Sequence, residues 1–444
     1  MNSVWTKLLP GFIRGKIEGR HSLQKAMGNT GWMMGDQVIR KGVGLLLGVL
    51  VARHFGPQLY GEFSYAIAVV MIVCPIARLG LDEISIRNMA RDPSSRDEVL
   101  GTSFVMMFAG GCLAFLVAML SIFLARSESQ LVQWLVGILA IGCIVQAFMA
   151  IEFWFESQMQ CKFIVYAKTS AFLLLSLSKI VLLLLQAPLV AFAWAGLAEA
   201  ALGSLGLLIV YRYQGFSTKV WRFSRNMARS LLSDSWPLIL SALLTMIYLR
   251  IDQIMIGSMV GSAELGNYSV AVQLSEVWVF IPMVIISAVF PAFVEVEKDN
   301  EALFYAHLQK LYSMMALYAY LVALPITFFS TEIILFLFSS AYADAGSLAA
   351  VLVWGMVFTS LGAARNVLII AKNWTRVNLM SIALGGVLNI LLNLFLIPAH
   401  GAMGAAIATL ISYWFAVHGS CFFFKSLRPT GWMMTRAMIY PKVW

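Results

Sequence analysis

Charged residues are scarce in this sequence of 444 residues. Asp, Glu, Lys and Arg make up 12% of it, whereas hydrophobic residues make up 60%. A soluble domain has about a quarter of its residues charged and about half apolar. The shortage of charge therefore excludes an ordinary soluble domain and predicts an integral membrane protein.

Motifs for catalysis, nucleotide binding and metal binding are lacking as well. The five Cys residues stand singly in apolar stretches, and the five His residues are isolated from one another. The sequence contains no CxxC pair, no HExxH, no phosphate-binding Gly-rich loop and no nucleophile elbow. We therefore expect no catalytic residue, no metal site and no cofactor, which is typical of a protein that is not an enzyme.

Long apolar stretches are what the sequence does contain. A membrane-spanning helix needs about 20 predominantly apolar residues, and roughly twelve stretches meet that length. An even number of spans puts both termini on one side of the membrane. The predicted spans are 29–53, 58–80, 99–124, 131–156, 163–186, 190–211, 234–257, 266–292, 307–330, 346–370, 376–398 and 402–424.

The distribution of basic residues predicts which side that is. Most of the 31 Lys and Arg residues fall in the termini and the even-numbered connections, whereas Arg53 and Arg126 fall in the odd-numbered ones. Cytoplasmic loops are enriched in Lys and Arg, so both termini are expected in the cytoplasm. The formal charge of +9 is then explained by an anionic membrane surface and requires no nucleic acid partner.

An internal echo predicts a duplicated architecture. The stretch "GPQLYGEFSYA" (56–66) shares two glycines, an aromatic residue, Ser and Ala, in register, with "GSAELGNYSVA" (261–271), which begins 205 residues later. The two stretches follow the first and the seventh predicted span. We therefore expect an all-α membrane protein with two six-helix bundles, related by a pseudo-two-fold axis along the membrane normal.

This repeat predicts five regions along the chain. A cytoplasmic amphipathic tail at 1–28 precedes a first bundle at 29–211. A basic cytoplasmic linker at 212–233 leads to a second bundle at 234–424, and 425–444 is a cytoplasmic tail.

A few charged residues lie within the predicted spans, where a charge near the bilayer centre costs about 2.5–3.5 kcal/mol on insertion scales. Such residues normally face a water-filled cavity or a charged partner. The basic and acidic members of the set are Arg40, Lys41, Arg78, Lys179, Arg250, Arg365, Asp36, Glu152, Glu156, Glu199, Asp252 and Glu276.

Asp36 and Arg40 pose the clearest question in this set. Both lie near the middle of the first span, and their i,i+4 spacing places them on one helix face. One interpretation is a cationic cavity, lined from both halves, in which guanidinium groups bind phosphate. The other is that Asp36 and Arg40 only neutralise each other inside the bundle.

Four stretches resemble one family of membrane transporters. They are "ARHFGPQLYGEFSYAIAVV", "IEFWFESQMQCKFIVYAK", "RIDQIMIGSMVGSAELGNYSVAVQLSEVWVFIP" and "LNILLNLFLIPAHGAMGAAIATLIS". They are similar to the corresponding parts of Wzx-type O-antigen and polysaccharide-unit flippases, of the multidrug/oligosaccharidyl-lipid/polysaccharide exporter superfamily. The resemblance implies that the chain flips an undecaprenyl-pyrophosphate-linked oligosaccharide across the bacterial inner membrane by alternating access. It also implies that an ion gradient, of protons or sodium, drives the transport.

These expectations assign roles to the charged residues. Arg40, Lys41, Arg250 and Arg365 are predicted to bind the pyrophosphate and sugar. Ion coupling or charge pairing is predicted for Asp36, Asp252, Glu276 and Glu199. The expected partners are the lipid-linked glycan, the coupling ion, membrane lipid and, as a candidate, a polysaccharide polymerase complex.

Three alternatives remain open at this stage. A lipid II flippase of the same superfamily has closely related chemistry. A drug or cation antiporter shares the fold, but midplane cations such as Arg40 and Lys41 would repel its substrates. A membrane polymerase or ligase would carry a sizeable periplasmic loop, whereas the longest outer connection predicted here is 331–345.

Overall fold

The computed structural model describes residues 21–442, except for the side chains of 21–27, 30, 288, 291, 292 and 294–299. The predicted amphipathic tail therefore lies outside the described residues up to position 20, and the remainder of it begins the first helix. Within the described part all regular structure is helical, which confirms the predicted fold class.

Sixteen α-helices are described between residues 21 and 442. The first seven are α1 His21–Arg78, α2 Leu81–Arg91, α3 Arg96–Ala125, α4 Gln130–Val145, α5 Ala150–Ser157, α6 Cys161–Leu184 and α7 Leu189–Tyr213. The others are α8 Arg225–Met259, α9 Ser262–Glu276, α10 Phe280–Asp299, α11 Glu301–Phe338, α12 Ala345–Leu352, α13 Gly355–Ala371, α14 Thr375–Trp414, α15 Ser420–Phe423 and α16 Arg428–Ile439.

Ten helical segments in the described residues are long and apolar enough to cross a membrane. Two of them, Gly31–Arg91 and Thr375–Phe423, are 61 and 49 residues long and contain non-helical glycines at Gly56 and Gly401. Because one span needs about 20 residues, each of these two can cross twice, in agreement with the twelve predicted spans. Large apolar side chains such as Leu184 and Phe336 are exposed, as expected for surfaces that face lipid.

The described chain forms two compact units. The first contains the residues up to Leu47 together with Val73–Ala242, and the second contains Gly48–Ile72 and Leu243–Trp444. The stretch 48–72, at the junction of the first two predicted spans, thus packs with the second unit. The predicted region boundaries follow the order of the spans along the chain, whereas the compact units follow which parts of the backbone lie close together in space.

The repeated sequence has a clear structural basis inside the second unit. The first glycine of each copy, Gly56 and Gly261, has a positive φ, of 71° and 136°. L-amino acids with a side chain rarely adopt such angles. Each glycine therefore allows the chain to turn from one span into the next.

The second glycine of each copy permits a close backbone approach. A Cβ atom at Gly61 would collide with the carbonyl oxygen of Ser262, and a Cβ at Gly266 would collide with the carbonyl oxygen of Pro57. Pro57 and Ser262 are themselves equivalent positions of the two copies. The contact is therefore reciprocal, as a local pseudo-two-fold requires, and the spacing of the echo is explained by packing.

Candidate functional site

Arg40 and Asp36, on α1 in the first unit, form a direct ion pair. Arg40 Nε donates to Asp36 Oδ1 at 2.8 Å and to Oδ2 at 3.0 Å. The Thr169 hydroxyl on α6 donates to Asp36 Oδ1. The i,i+4 spacing in the sequence therefore corresponds to a real contact, which is held by a third group from a neighbouring helix.

Two further charges extend this pair into a network. Arg40 Nη1 lies 3.8 Å from Glu199 Oε1 on α7, and Lys179 Nζ on α6 donates to Glu199 Oε2 at 2.9 Å. Two carboxylates and two cations thus alternate across three helices, and their formal charges cancel. We call Asp36, Arg40, Lys179 and Glu199 the first-unit charge network.

Arg40 retains unused binding capacity within this network. Its Nη2 atom is buried and has no hydrogen-bond partner, and its guanidinium stacks over the Phe172 ring with Cζ 4.9 Å from the centroid. The Arg40 side chain is nevertheless 25% exposed. A guanidinium that has a free donor, stacks on an aromatic ring and is partly exposed is well suited to bind an oxyanion.

Lys41, the neighbour of Arg40, points to a different environment. Its side chain is exposed, and it forms no ion pair with any residue between 21 and 442 for which side chains are described. The structure therefore does not bring Lys41 into the first-unit charge network.

Arg250 and Glu276 form the corresponding ion pair of the second unit. Arg250 Nη2 on α8 donates to Glu276 Oε2 at the end of α9 over 3.0 Å. The Glu276 side chain is 39% exposed, whereas that of Arg250 is 17% exposed. Arg250 Nε is buried without a hydrogen-bond partner, so this arginine also keeps one unused donor.

Asp252, two residues further along α8, is only 4% exposed, and its hydrogen-bond partners are uncharged. Its carboxylate accepts hydrogen bonds from the Tyr268 hydroxyl, the Gln253 amide at 2.7 Å and the Thr409 hydroxyl at 3.3 Å. Among the described residues it has no ion pair. A buried carboxylate costs several kcal/mol unless a cation or a proton neutralises it.

The hydrogen bonds continue from Thr409 to the part of α14 that precedes Gly401. Asn389 Nδ2 donates to Thr409 Oγ1 at 3.4 Å, and Asn393 Nδ2 donates to Asn389 Oδ1 at 3.0 Å. The buried Asn393 Oδ1 has no partner. Oxygen atoms of carboxylates, amides and hydroxyls are the ligands that hard cations prefer. We call Asp252, Tyr268, Asn389, Asn393 and Thr409 the second-unit oxygen network.

Arg365, on α13, is 3% exposed and is used by the protein itself. Its Nη1 donates to the carbonyl oxygens of Ala416 at 3.1 Å and Val417 at 2.7 Å, within the π-helical turn Phe415–Gly419. Its Nη2 donates to Asn378 Oδ1 at 3.0 Å. In this arrangement two of the Arg365 donors are already committed to the protein.

Sequence reasoning missed several members of these networks. Lys179 stood in the set of charges within spans, but nothing in the sequence paired it with Glu199, 20 residues away. Asn389 and Asn393 carried a usable signal, since two amides at i,i+4 in an apolar helix lie on one face. Tyr268 and Thr409 carried none, because hydroxyl residues are common in membrane helices.

The family comparison gives a match over most of the first two thirds of the chain. The family described as polysaccharide biosynthesis protein matches residues 26–297. A comparison with curated proteins found no significant match.

Several solved structures share the whole fold. The lipid II flippase MurJ in an inward closed conformation has a TM-score of 0.73 at 15% identity, over 91% of this chain and 90% of that one. An inward-facing multidrug resistance MATE family transporter of the MOP superfamily has a TM-score of 0.70 at 15% identity, over 89% and 95%. A MOP superfamily transporter from Pyrococcus furiosus has a TM-score of 0.55 at 16% identity, over 93% and 96%.

At such identities the solved structures establish the fold, and the family match establishes the relationship. The solved structures with this fold are described as a lipid II flippase and as transporters. The match covers more than half of the chain, and this protein therefore belongs to the polysaccharide biosynthesis protein family, as a multi-pass membrane protein whose fold is shared with solved flippases and transporters.

Proposed function

We propose that the protein flips an undecaprenyl-pyrophosphate-linked oligosaccharide, such as an O-antigen or other polysaccharide repeat unit, across the bacterial inner membrane. The lipid tail can stay in hydrocarbon, but the pyrophosphate and sugars must cross it. The protein must therefore offer cationic and polar groups within its spans. The family to which the chain belongs supports a lipid-linked glycan as the substrate.

One observation carries this proposal. Arg40 lies in the spanning part of α1, is partly exposed, and has a buried Nη2 donor without a partner. A pyrophosphate oxygen would complete the hydrogen bonds of that guanidinium. Bidentate contacts between guanidinium and phosphate are strong and geometrically selective.

The first-unit charge network also gives a route for substrate entry. An incoming pyrophosphate replaces the Asp36 or Glu199 carboxylate as the partner of Arg40, while Thr169 and Lys179 continue to hold the displaced carboxylates. The exchange is least costly against Glu199, whose charge stays paired with Lys179. A displaced Asp36 would keep only the neutral Thr169 hydroxyl, and an unpaired buried charge is the costly case. Arg250, with its free Nε, offers the same exchange against Glu276.

The other predicted pyrophosphate ligands are ranked by access. Lys41 is exposed and uncommitted to any described carboxylate, so it can attract the anionic headgroup without prior rearrangement. Arg365 is buried and donates to the backbone carbonyls of Ala416 and Val417. Its participation requires the Phe415–Gly419 turn to change, and we rank it last.

The coupling ion is proposed to bind at Asp252. Of the predicted coupling residues, Asp36, Glu199 and Glu276 have a cationic partner, whereas Asp252 forms only hydrogen bonds with uncharged groups among the described residues. A proton or a sodium ion would neutralise this carboxylate.

Both termini are proposed to lie in the cytoplasm, on the basis of the loop charges. A reporter active only in the cytoplasm is expected to be active when fused after Trp444 and inactive when fused near Gly346. The reverse pattern would overturn this orientation.

Flipping by purified protein in proteoliposomes tests the proposed function. Three substrates are compared: the undecaprenyl-pyrophosphate-linked glycan, the same glycan on an uncharged polyprenol, and a cationic dye. We expect the wild-type protein to flip only the first. Arg40→Gln is expected to reduce flipping by about 10–100-fold, since a charge-assisted hydrogen bond contributes about 1.5–3 kcal/mol. The matched control, Arg53→Gln, changes an exposed arginine of the same helix and should leave flipping unchanged.

The results with the other substrates test the alternative functions. Equal flipping of the uncharged glycolipid would exclude pyrophosphate recognition. Transport of the dye with no flipping would favour a drug antiporter. Adding lipid II as a fourth substrate separates the polysaccharide role from the peptidoglycan role, because both lipids carry pyrophosphate and differ in the sugar.

A further inference from the structure

The connection between α7 and α8 carries a strongly basic surface that the transport mechanism does not use. Residues 212–233 contain five basic residues and no acidic residue. All five side chains are exposed, and none forms an ion pair with a described residue. We call this set the linker surface: Arg212, Lys219, Arg222, Arg225 and Arg229.

The backbone of this connection is fixed on the first unit. The Arg222 amide donates to the Asp97 carbonyl at 3.1 Å, and the Ser224 amide donates to Thr102 Oγ1 at 3.1 Å. Gly101 allows this approach, because a Cβ there would lie 2.6 Å from the Arg222 nitrogen. The connection therefore lies along α3 with no room between the two backbones.

Aromatic side chains anchor the same connection in the core. Trp221 Nε1 donates to the Tyr211 hydroxyl at 3.3 Å. The Phe216 ring packs on the Trp154 ring with centroids 5.5 Å apart. The Arg96 guanidinium covers the Phe216 ring at 4.7 Å. These anchors hold the segment as a platform, so its cations have a defined backbone position before any ligand arrives.

Apolar side chains stand exposed among these cations. Tyr213 is 87% exposed, Phe223 is 55% exposed and Val220 is 46% exposed. The connection between the spanning helices α7 and α8 covers only residues 214–224. A connection this short cannot leave the membrane surface. Cations mixed with exposed aromatic side chains are typical of segments that bind at the interface of an anionic bilayer.

We propose that the linker surface binds the headgroups of anionic phospholipids in the adjacent leaflet. The five cations supply the charge that phosphate groups require, and Tyr213, Val220 and Phe223 insert beside them among the acyl chain ends. A soluble acidic protein or a free phosphate would match the charge and leave these apolar side chains in water. The site goes beyond transport, since it lies outside the predicted spans and uses none of the proposed substrate ligands.

Lipid titration of the purified full-length protein in a neutral detergent tests this site. The readout is the rise in thermal unfolding midpoint as phosphatidylglycerol, or phosphatidylcholine for comparison, is added. The linker variant combines Lys219→Gln, Arg222→Gln and Arg229→Gln. The matched control combines Lys425→Gln, Arg436→Gln and Lys442→Gln, three exposed cations of the second unit with the same charge change.

We expect phosphatidylglycerol to stabilise the wild-type protein and the control, and phosphatidylcholine to stabilise neither. One cation near an anionic surface favours binding by about fivefold. The linker variant should therefore need about a hundredfold more phosphatidylglycerol for the same effect. The single variant Lys219→Gln should need about fivefold more phosphatidylglycerol than the wild type. It replaces the triple variant in this test if the triple variant does not fold.

Three results would each overturn the proposal. The first is an unchanged phosphatidylglycerol requirement in the linker variant. The second is an equal loss of stabilisation by phosphatidylglycerol in the control variant, which would show that only the net charge of the protein matters. The third is stabilisation by inorganic pyrophosphate that the linker variant loses as fully as stabilisation by phosphatidylglycerol, which would mean that a soluble phosphate suffices at the linker surface. Binding of pyrophosphate at Arg40 is the same in both proteins and does not enter this difference.

Discussion

The first-unit charge network and the second-unit oxygen network place carboxylates in opposite surroundings. Asp36 and Glu199 are each paired with a cation and are partly exposed. Asp252 is buried and is hydrogen bonded by Tyr268, Thr409 and the Gln253 amide, and it forms no ion pair with any residue whose side chain is described. The charges of the first network cancel internally, whereas those of the second do not.

This difference separates two kinds of ligand. A paired and partly exposed network can exchange one anion for another at little cost, since each cation keeps a partner throughout. A buried carboxylate among neutral oxygens instead favours a cation or a proton. We therefore infer that the first-unit charge network binds the anionic part of the substrate and that the second-unit oxygen network binds the coupling ion.

The largest expected effect comes from Asp252→Asn. The amide keeps the shape and can still accept from Tyr268, but it removes the charge that would hold the coupling ion. Moving one elementary charge across 100 mV contributes about 2.3 kcal/mol, which corresponds to about a 40-fold change in a steady-state distribution. Flipping should therefore lose its dependence on the ion gradient in proteoliposomes.

The control for this substitution is Asp344→Asn, an exposed carboxylate of the same unit. It should keep the gradient dependence of the wild type. Proton and sodium gradients are imposed separately, so that the coupling ion is identified in the same experiment. If flipping by Asp252→Asn still depended on the ion gradient as in the wild type, the oxygen network would have no role in coupling. The inferred difference in ligand between the two networks would then be wrong.

Arg40→Lys distinguishes the two possible roles of Arg40, which are binding of pyrophosphate and pairing with Asp36. Lysine keeps the charge and can still neutralise Asp36 and Glu199, but it lacks the planar fork that matches a phosphate. If Arg40 binds pyrophosphate, flipping should fall by about tenfold with normal protein abundance, because one charge-assisted hydrogen bond is lost. If Arg40 only pairs with Asp36, both abundance and flipping should stay near wild type.

The structure also explains why a charge swap is a poorer test. Exchanging Asp36 and Arg40 would put a carboxylate near Glu199, which now lies 3.8 Å from the Arg40 guanidinium. Two adjacent carboxylates repel each other. The swapped protein would therefore fail for either role of Arg40, and Arg40→Lys separates the two roles where the swap does not.

Much of the fold could be predicted from the sequence, because hydrocarbon imposes strong rules. Span length and the echo at Gly56 and Gly261 gave the helical membrane class and the repeat. The assignment of 48–72 to the second unit could not be predicted. It depends on the reciprocal approach of Gly61 and Gly266 to backbone carbonyls, and a sequence does not display such contacts between distant segments.

The candidate site was predictable only in part. Charged residues in spans are conspicuous, so Asp36, Arg40, Arg250 and Asp252 could be singled out. The residues around them could not be predicted from the sequence, because hydrogen-bond partners such as Tyr268 and Thr409 come from other helices. The contrast between a paired arginine and an unpaired aspartate therefore emerges only from tertiary contacts.

A smaller effect is expected for the Lys179 and Glu199 pair, whose Nζ and Oε2 atoms lie 2.9 Å apart. Lys179→Gln leaves two carboxylates to share Arg40, so the pyrophosphate must compete with both, and we expect about fivefold weaker substrate affinity. Glu199→Gln added to it restores neutrality and should recover most of the loss. A double-mutant cycle on substrate affinity measures this coupling, and strictly additive effects would show that the four charges do not act as one network.

The smallest expected effect belongs to Glu276→Gln. Glu276 is 39% exposed and accepts from Arg250 at 3.0 Å, and an exposed ion pair of this kind contributes about 0–1 kcal/mol. Removing its charge frees Arg250 for the substrate, so affinity for the pyrophosphate-linked glycan should rise by at most about fivefold, with gradient dependence retained. The rival assignment, in which Glu276 itself binds the coupling ion, predicts that gradient dependence disappears. Measuring both quantities in the one variant decides whether the coupling cation of the second unit sits in the buried oxygen network or at the partly exposed Arg250 pair.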